Sequence, residues 1–316
     1  MTRTTPEFSA SELSAVLILC RLARFFCCET PYSTQYAAHM LLTGILQAIL
    51  LIPVFLRKTP YAVPKLTMRI LEGFSLVLAA DTAADCYRLL TAADAPSPVL
   101  TMLLLFAAVF YAVSLPRPAI FRASVFLLAA AILAFALLPL GGLSSARILS
   151  LWTSPPAPQG LLSEWTESAE LALIPMFAAA QPAASKKAAA SWIGARCIAL
   201  PAIVLFGTMQ CGRLRTFHGN PFLLLLARVP LSDALRTDGL WLMLAVACAL
   251  LACGFFLQSF CGCRLRAPIR RRTIGVSLLF ALTILFIIYN VNGGILACAA
   301  IALTILQWYR QKEASA

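Results

Sequence analysis

The chain has 316 residues, of which 61% are hydrophobic and 12% charged, with a net charge of +12. Soluble globular domains run at about 45–50% apolar and about 25% charged, so the composition excludes that class and points to an integral membrane protein. No period-2 alternation runs through the apolar stretches, which excludes a transmembrane barrel and leaves helices as the spanning form.

The N-terminal stretch MTRTTPEFSASE is polar, carries acids and has no small-residue cleavage site before the first apolar run. The first helix is therefore expected to stay in the mature protein. Runs of the length that crosses a hydrocarbon core, about 17–25 residues, fall at approximately 11–28, 34–56, 66–90, 98–115, 119–140, 163–181, 188–210, 235–260, 273–290 and 294–309. NVNGG at 290–294 supplies Asn and Gly for a tight turn between the last two. Longer polar connections fall at 140–160 and 211–239, and the second contains PFLLLLARVP, too short to span and expected to lie at the interface or re-enter.

Ten spans put both termini on one side. Sixteen Lys and Arg residues fall on that side against six on the other, with Arg21, Arg24 and Arg196 inside spans. The positive-inside rule then makes both termini cytoplasmic. CRLRAPIRRR at 263–272 reads as a cytoplasmic loop beside anionic headgroups, and no nucleic-acid motif accompanies it.

Ionisable residues at membrane depth are costly and mark partners, cavities or sites. In the first span Arg21 falls near the midplane and Arg24 follows at i+3 on the same face. They form either an anion-facing patch that holds a substrate carboxylate or an internally paired, snorkelling pair. The third span carries Glu72, Asp81 and Asp85, with Arg88 three residues beyond. Asp81 and Asp85 share a face at i+4 and are candidate partners for the two arginines, and Asp85 with Arg88 also fits a solvated helix end.

In the sixth span Glu164, Glu167 and Glu170 descend one side at i, i+3 and i+6, and Pro175 interrupts the helix beneath them. Proline removes a backbone donor and frees a carbonyl, the way a discontinuous helix builds a site, although kinks without function have the same signature. Glu170, the deepest acid, is the candidate for an ammonium or proton contact. Arg196 in span seven is expected to snorkel to the cytoplasmic edge, and Arg236 with Asp238 to cap or pair at the start of span eight.

Eleven cysteines include no CxxC pair, and Cys20, Cys197, Cys248, Cys253 and Cys298 sit within apolar runs as small packing residues. Cys27-Cys28 and Cys261-Gly-Cys263 lie near span ends at spacings that specify neither lipidation nor a metal. His39 and His218 add no cluster, and no cofactor is implied. HExxH, GxSxG and P-loop signatures are absent from the sequence, so an enzyme is not the expectation.

Several pieces, in order, resemble the endospore germination permease family, the B subunits of nutrient germinant receptors, within the amino acid–polyamine–organocation transporter superfamily. FSASELSAVLILCRLARFF is similar to the first helix of a clostridial subgroup, with its Cys-Arg-Leu. LPRPAIFRASVFLLAAAIL resembles the turn into span five, and ESAELALIPMFAAAQPAASKK the sixth helix with glutamate, proline and lysines. GNPFLLLLARVPLSDALRTDGLWLMLAVACALLACGFFLQ resembles the outer segment and long eighth helix.

The resemblance implies an all-α integral membrane fold of ten transmembrane helices in a LeuT-like 5+5 inverted repeat, with helices 1 and 6 discontinuous. Repeat one would cover about 11–140 and repeat two about 163–309 of a single membrane domain, residues 1–316. It also implies a receptor subunit that binds a small nutrient germinant, an amino acid, in a central pocket. Expected partners are a membrane subunit with a cytoplasmic domain and a lipoprotein, and the expected location is the spore inner membrane or a bacterial plasma membrane. Arg21, Arg24, Asp81, Glu167, Glu170 and Pro175 are the expected binding residues. A proton- or sodium-coupled amino-acid transporter and a non-binding membrane scaffold are the alternatives.

Overall fold

A computed structural model describes residues 8–27, 32–60, 63–142, 148–152, 165, 167–211, 220–228, 238–261, 269–289 and 294–313. Among them every regular element is a helix. Four helical stretches among the described residues are both long enough and apolar enough to cross a membrane: Arg117–Leu137, Pro182–Cys211, Gly239–Cys261 and Ile269–Tyr289. Pro98–Ser114 and Ala169–Ala180 are apolar but shorter. The protein is an all-α membrane protein, and its outer helices turn large apolar side chains such as Phe126, Leu133 and Ile288 outward.

Helix α1 (Ala10–Phe26) begins at a capping box: Ser9 Oγ accepts from the Glu12 amide at 3.2 Å, and Glu12 Oε2 accepts from the Ser9 amide at 2.7 Å. From Leu13 to Phe26 every residue except Ile18 is buried. A helix buried on all sides is the centre of a bundle. The implied break in this first helix is not there. Residues 10–26 contain neither glycine nor proline, so every position can keep its hydrogen bond and nothing interrupts the ladder.

Helix α2 (Thr34–Leu50) is offset at Leu51 from the short α3 (Ile52–Leu56), where Pro53 cannot continue the ladder. Helix α4 (Lys65–Ala92) ends in a Schellman turn: Asp94 takes φ 49°, and the Ala95 amide donates to the Leu90 carbonyl at 3.0 Å. Helices α5 (Pro98–Ser114) and α6 (Arg117–Gly142) follow, then a single turn, α7 (Leu149–Trp152).

The expected sixth span is irregular. A 3₁₀ segment, Ala169–Leu173, passes into α8 (Ile174–Ala180), and Gln181 (φ −138°, ψ 80°) separates it from α9 (Pro182–Gly194). Pro175 is the second residue of α8, where no amide donor is required, and Pro182 opens α9 and keeps Gln181 extended. Helix α9 runs through a π turn, Ala195–Ala199, into α10 (Leu200–Cys211). The seventh helical stretch thus starts at 182 rather than the expected 188. Helices α11 (Pro221–Arg228), α12 (Asp238–Cys261), α13 (Ile269–Tyr289) and α14 (Gly294–Glu313) complete the chain.

Helix α1 packs against α4, α6, α9 and α12, while α4 lies along α12 and α13 and α2 along α10. Aromatic rings close both ends of α1. Phe8, Phe121, Phe177 and Phe255 meet at its start with centroids 5.3–5.9 Å apart. Phe26, Phe135, Phe222 and Trp241 meet at its end at 4.7–5.7 Å. There Asn220 caps α11 through Oδ1 and donates Nδ2 to the Phe26 carbonyl at 3.0 Å, satisfying one of the carbonyls left open at the end of α1.

Candidate functional site

Between the two aromatic clusters α1 presents Arg21 and Arg24, one turn apart but aimed at different elements. Arg21, 1% exposed, donates Nη1 to the Glu167 carbonyl at 2.6 Å and Nη2 to Glu167 Oε2 at 2.9 Å. The carbonyl is available because Ser168 (φ −124°, ψ 28°) leaves the helical region, so Glu167 precedes the 3₁₀ segment. Tyr36 Oη on α2 donates to the same carboxylate at 3.1 Å, and Gln47 Nε2 donates to Ser168 Oγ at 2.9 Å. Helices α1 and α2 thus hold the 167–168 turn between them.

Arg24 faces α4. Its Nη2 lies 2.5 Å from Asp81 Oδ2 and 3.8 Å from Asp85 Oδ2. Asp85 Oδ1 is 2.7 Å from Arg88 Nη1, and Arg88 Nη2 donates to the Phe286 carbonyl on α13 at 3.0 Å. Side-chain exposure rises along this ladder, from 5% at Arg24 and 7% at Asp81 to 20% at Asp85 and 25% at Arg88. The i, i+4 spacing of the two aspartates puts both on the face of α4 that meets α1.

Glu170 makes no ion pair in either ladder, although Arg21 and Arg24 are near enough for their charges to act on it. It is fully buried in the 3₁₀ segment and accepts from Trp192 Nε1 of α9 at Oε1, 3.1 Å away. Its Oε2 receives no hydrogen bond among the described residues. Gln307 of α14 reaches the same segment, donating Nε2 to the Ala172 carbonyl at 3.3 Å.

All six expected binding residues therefore lie on α1, α4 and the 167–175 stretch. Arg21 takes Glu167 as its partner instead of Asp81 or Asp85, because 167 is turned toward α1 by the non-helical Ser168. Arg196 does not snorkel: it is buried in the π turn and donates Nη2 to Thr43 Oγ1 on α2 at 2.8 Å. Glu164, Arg236, His218, Cys28 and Cys263 lie outside the described residues, as does the side chain of Asp238.

Sequence reasoning missed Tyr36, Thr43, Gln47 and Trp192. A signal existed for the first three, since 36, 43 and 47 recur on one helical face of α2 while Leu42, Ile45 and Ile49 face outward. Trp192 had none, because an indole in an apolar run looks like packing. Nine of the cysteines are described and all are free. Among the described residues no three potential metal ligands come together.

Glu170 is thus buried between the two aromatic clusters that close the ends of α1, with one carboxylate oxygen that accepts no hydrogen bond among the described residues. No family model, no curated protein and no solved structure matches this chain.

Proposed function

We infer that this protein is a germinant-receptor subunit of the permease type, binding a small nutrient, such as an amino acid, in a site deep in the membrane. In this reading it has ten spans in two inverted repeats, about 11–140 and 163–309, with both termini cytoplasmic. The observation that carries it is Glu170: a fully buried carboxylate with one open oxygen, on a non-α segment tied to α1 through Arg21 and to α2 through Tyr36 and Gln47. A membrane protein that only needed packing would not keep that arrangement, because each such group at membrane depth costs a few kcal/mol or more.

A ligand that prefers one arrangement of the 167–181 stretch shifts the equilibrium by its differential affinity, and partner subunits would read the shift. The test is a thermal-shift screen of the purified protein in detergent against nutrient amino acids and sugars. A concentration-dependent rise in melting temperature supports binding, and a flat response across the screen removes it.

The graded ladder Arg24–Asp81–Asp85–Arg88 favours a second reading, a secondary transporter coupled to an ion, because it gives charge a stepwise route toward the interior. Gradient-driven accumulation of solute in vesicles that contain this chain alone would select the transporter, and binding without flux would select the receptor.

A further inference from the structure

We propose that the starts of α4, α6 and α13 form a site for the headgroup of an anionic phospholipid, at the rim of the bundle and independent of what the 167–173 stretch binds.

These helices begin at one end of the bundle. Arg69 of α4, Arg117 of α6 and Arg271 of α13 are all near enough to Glu72 for their charges to act on it. One carboxylate cannot neutralise three guanidiniums. Across the first eight residues of α1, α4, α6 and α13, seven cations stand against two acids, Glu12 and Glu72. Glu12 is committed to the cap of α1 and lies 3.9 Å from Arg122. Among the described residues Arg69, Arg270, Arg271 and Arg272 enter no ion pair, and Arg272 Nε is buried with no acceptor. Arg271 donates Nη1 to the Cys261 carbonyl at 3.5 Å, a contact that places it and leaves its charge uncompensated.

The backbone adds to the excess. The first amides of a helix have no intrahelical acceptor and carry the positive end of its dipole. Pro64 leaves α4 without a side-chain cap, and neither α4 nor α13 has an acid in its first turn. A phosphodiester is the complement, because its charged oxygens can be shared between guanidiniums.

The apolar surroundings select a lipid over a free anion or an acidic protein. Arg270, Ile274 and Leu278 recur at i, i+4 and i+8, so one outward stripe of α13 carries charge at the rim and apolar side chains below it. On the adjoining α4, Ile70 is exposed beside Arg69. Ile70, Ile274 and Leu278 are 42–47% exposed. A phosphate at the arginines sets its acyl chains against this surface, which a soluble partner would leave uncovered. On the orientation inferred from basic-residue placement, this end lies at the cytoplasmic leaflet, where anionic lipid is concentrated.

The test is a thermal-shift titration of the full-length protein in nonionic detergent with dioleoyl phosphatidylglycerol, dioleoyl phosphatidylcholine, inorganic phosphate and polyglutamate. The proposal expects only phosphatidylglycerol to raise the melting temperature. Arg69→Gln and Arg271→Gln should each raise the half-saturating concentration about fivefold, as for one cation near a charged membrane surface. Glu72→Gln removes the protein's own competitor and should lower it. Lys187→Gln, at an exposed cation on α9, should leave it unchanged. The wild-type comparison of the four probes decides even where a variant does not fold. An equal response to phosphatidylcholine, or none to any probe, overturns the proposal. So does an equal loss in Lys187→Gln, which would make the effect one of diffuse surface charge. Variants that melt lower with an unaltered lipid titration reduce the cluster to packing and overturn it too. A response to phosphate makes this a free-anion site, and one to polyglutamate a protein-docking surface, and either result overturns the lipid assignment.

Discussion

Arg21 and Glu167, 146 positions apart in the chain, are joined twice, through the Glu167 carbonyl at 2.6 Å and its carboxylate at 2.9 Å. The planar guanidinium serves both acceptors at once, and lysine cannot reproduce that fork. Arg21→Ala should destabilise the protein by up to about 3 kcal/mol, because it leaves the mostly buried Glu167 carboxylate uncompensated. Arg21→Lys should recover only part of the loss. Unfolding by SDS titration in micelles measures both, and equal stability of wild type and Arg21→Ala would show that the pair is not formed in the native state.

The two aspartates of α4 should behave differently. Asp81 lies 2.5 Å from Arg24 and is nearly buried, whereas Asp85 is 3.8 Å away and shares Arg88. In a double-mutant cycle with Arg24→Gln, Asp81→Asn should show the larger coupling energy, and Asp85→Asn a coupling below about 1 kcal/mol, as for partly exposed pairs. A reversed order would place Arg24 on Asp85.

Close approach of α2 to the π turn is set by Gly44. A Cβ at this position would sit 2.5 Å from Cys197 Sγ. Gly44→Ala should cost about 1–3 kcal/mol, the usual penalty for overpacking. Cys197→Ala in the same chain should restore most of it, since the next atoms are Arg196 Cγ at 3.5 Å and the Cys197 Cβ at 3.8 Å. Gly73→Ala, with nothing within 4 Å, is the control.

Orientation has its own test. With both termini cytoplasmic, a C-terminal green fluorescent protein fusion expressed in a bacterium should fluoresce and a C-terminal alkaline phosphatase fusion should be inactive. The opposite pattern would reverse the topology inferred from basic-residue placement.

Run length and breaker residues made the helical segments readable. The expected spans at 34–56, 66–90, 98–115 and 273–290 correspond to α2 with α3, α4, α5 and α13, whose limits differ from them by at most four residues. PFLLLLARVP contains a short helix, α11. The charged positions were readable as well, because an Arg or Asp inside an apolar run is conspicuous. Their pairing was not, since the partner of Arg21 depends on the depth and rotation of helices 146 positions apart, which periodicity within one helix does not encode. The continuous α1 shows the other limit: a break implied by likeness yields to local chemistry when no residue there can make it.

The π turn at Ala195–Ala199 has a consequence for how this chain tolerates changes in length. One residue advances an α-helix by about 100°, so a wide turn acts like a spacer washer on a screw: it fixes which side of α10 meets its neighbours. Gly207, whose missing side chain makes room for the Tyr32 ring, owes its bearing to that spacer. Deleting a single residue between 195 and 199 would convert the wide turn into an α turn and leave α9 and α10 in nearly the same register, so the Gly207 notch would stay against Tyr32. The same deletion within α10, before Gly207, would turn the notch by about 100°: at the π turn a lost residue is absorbed where it falls.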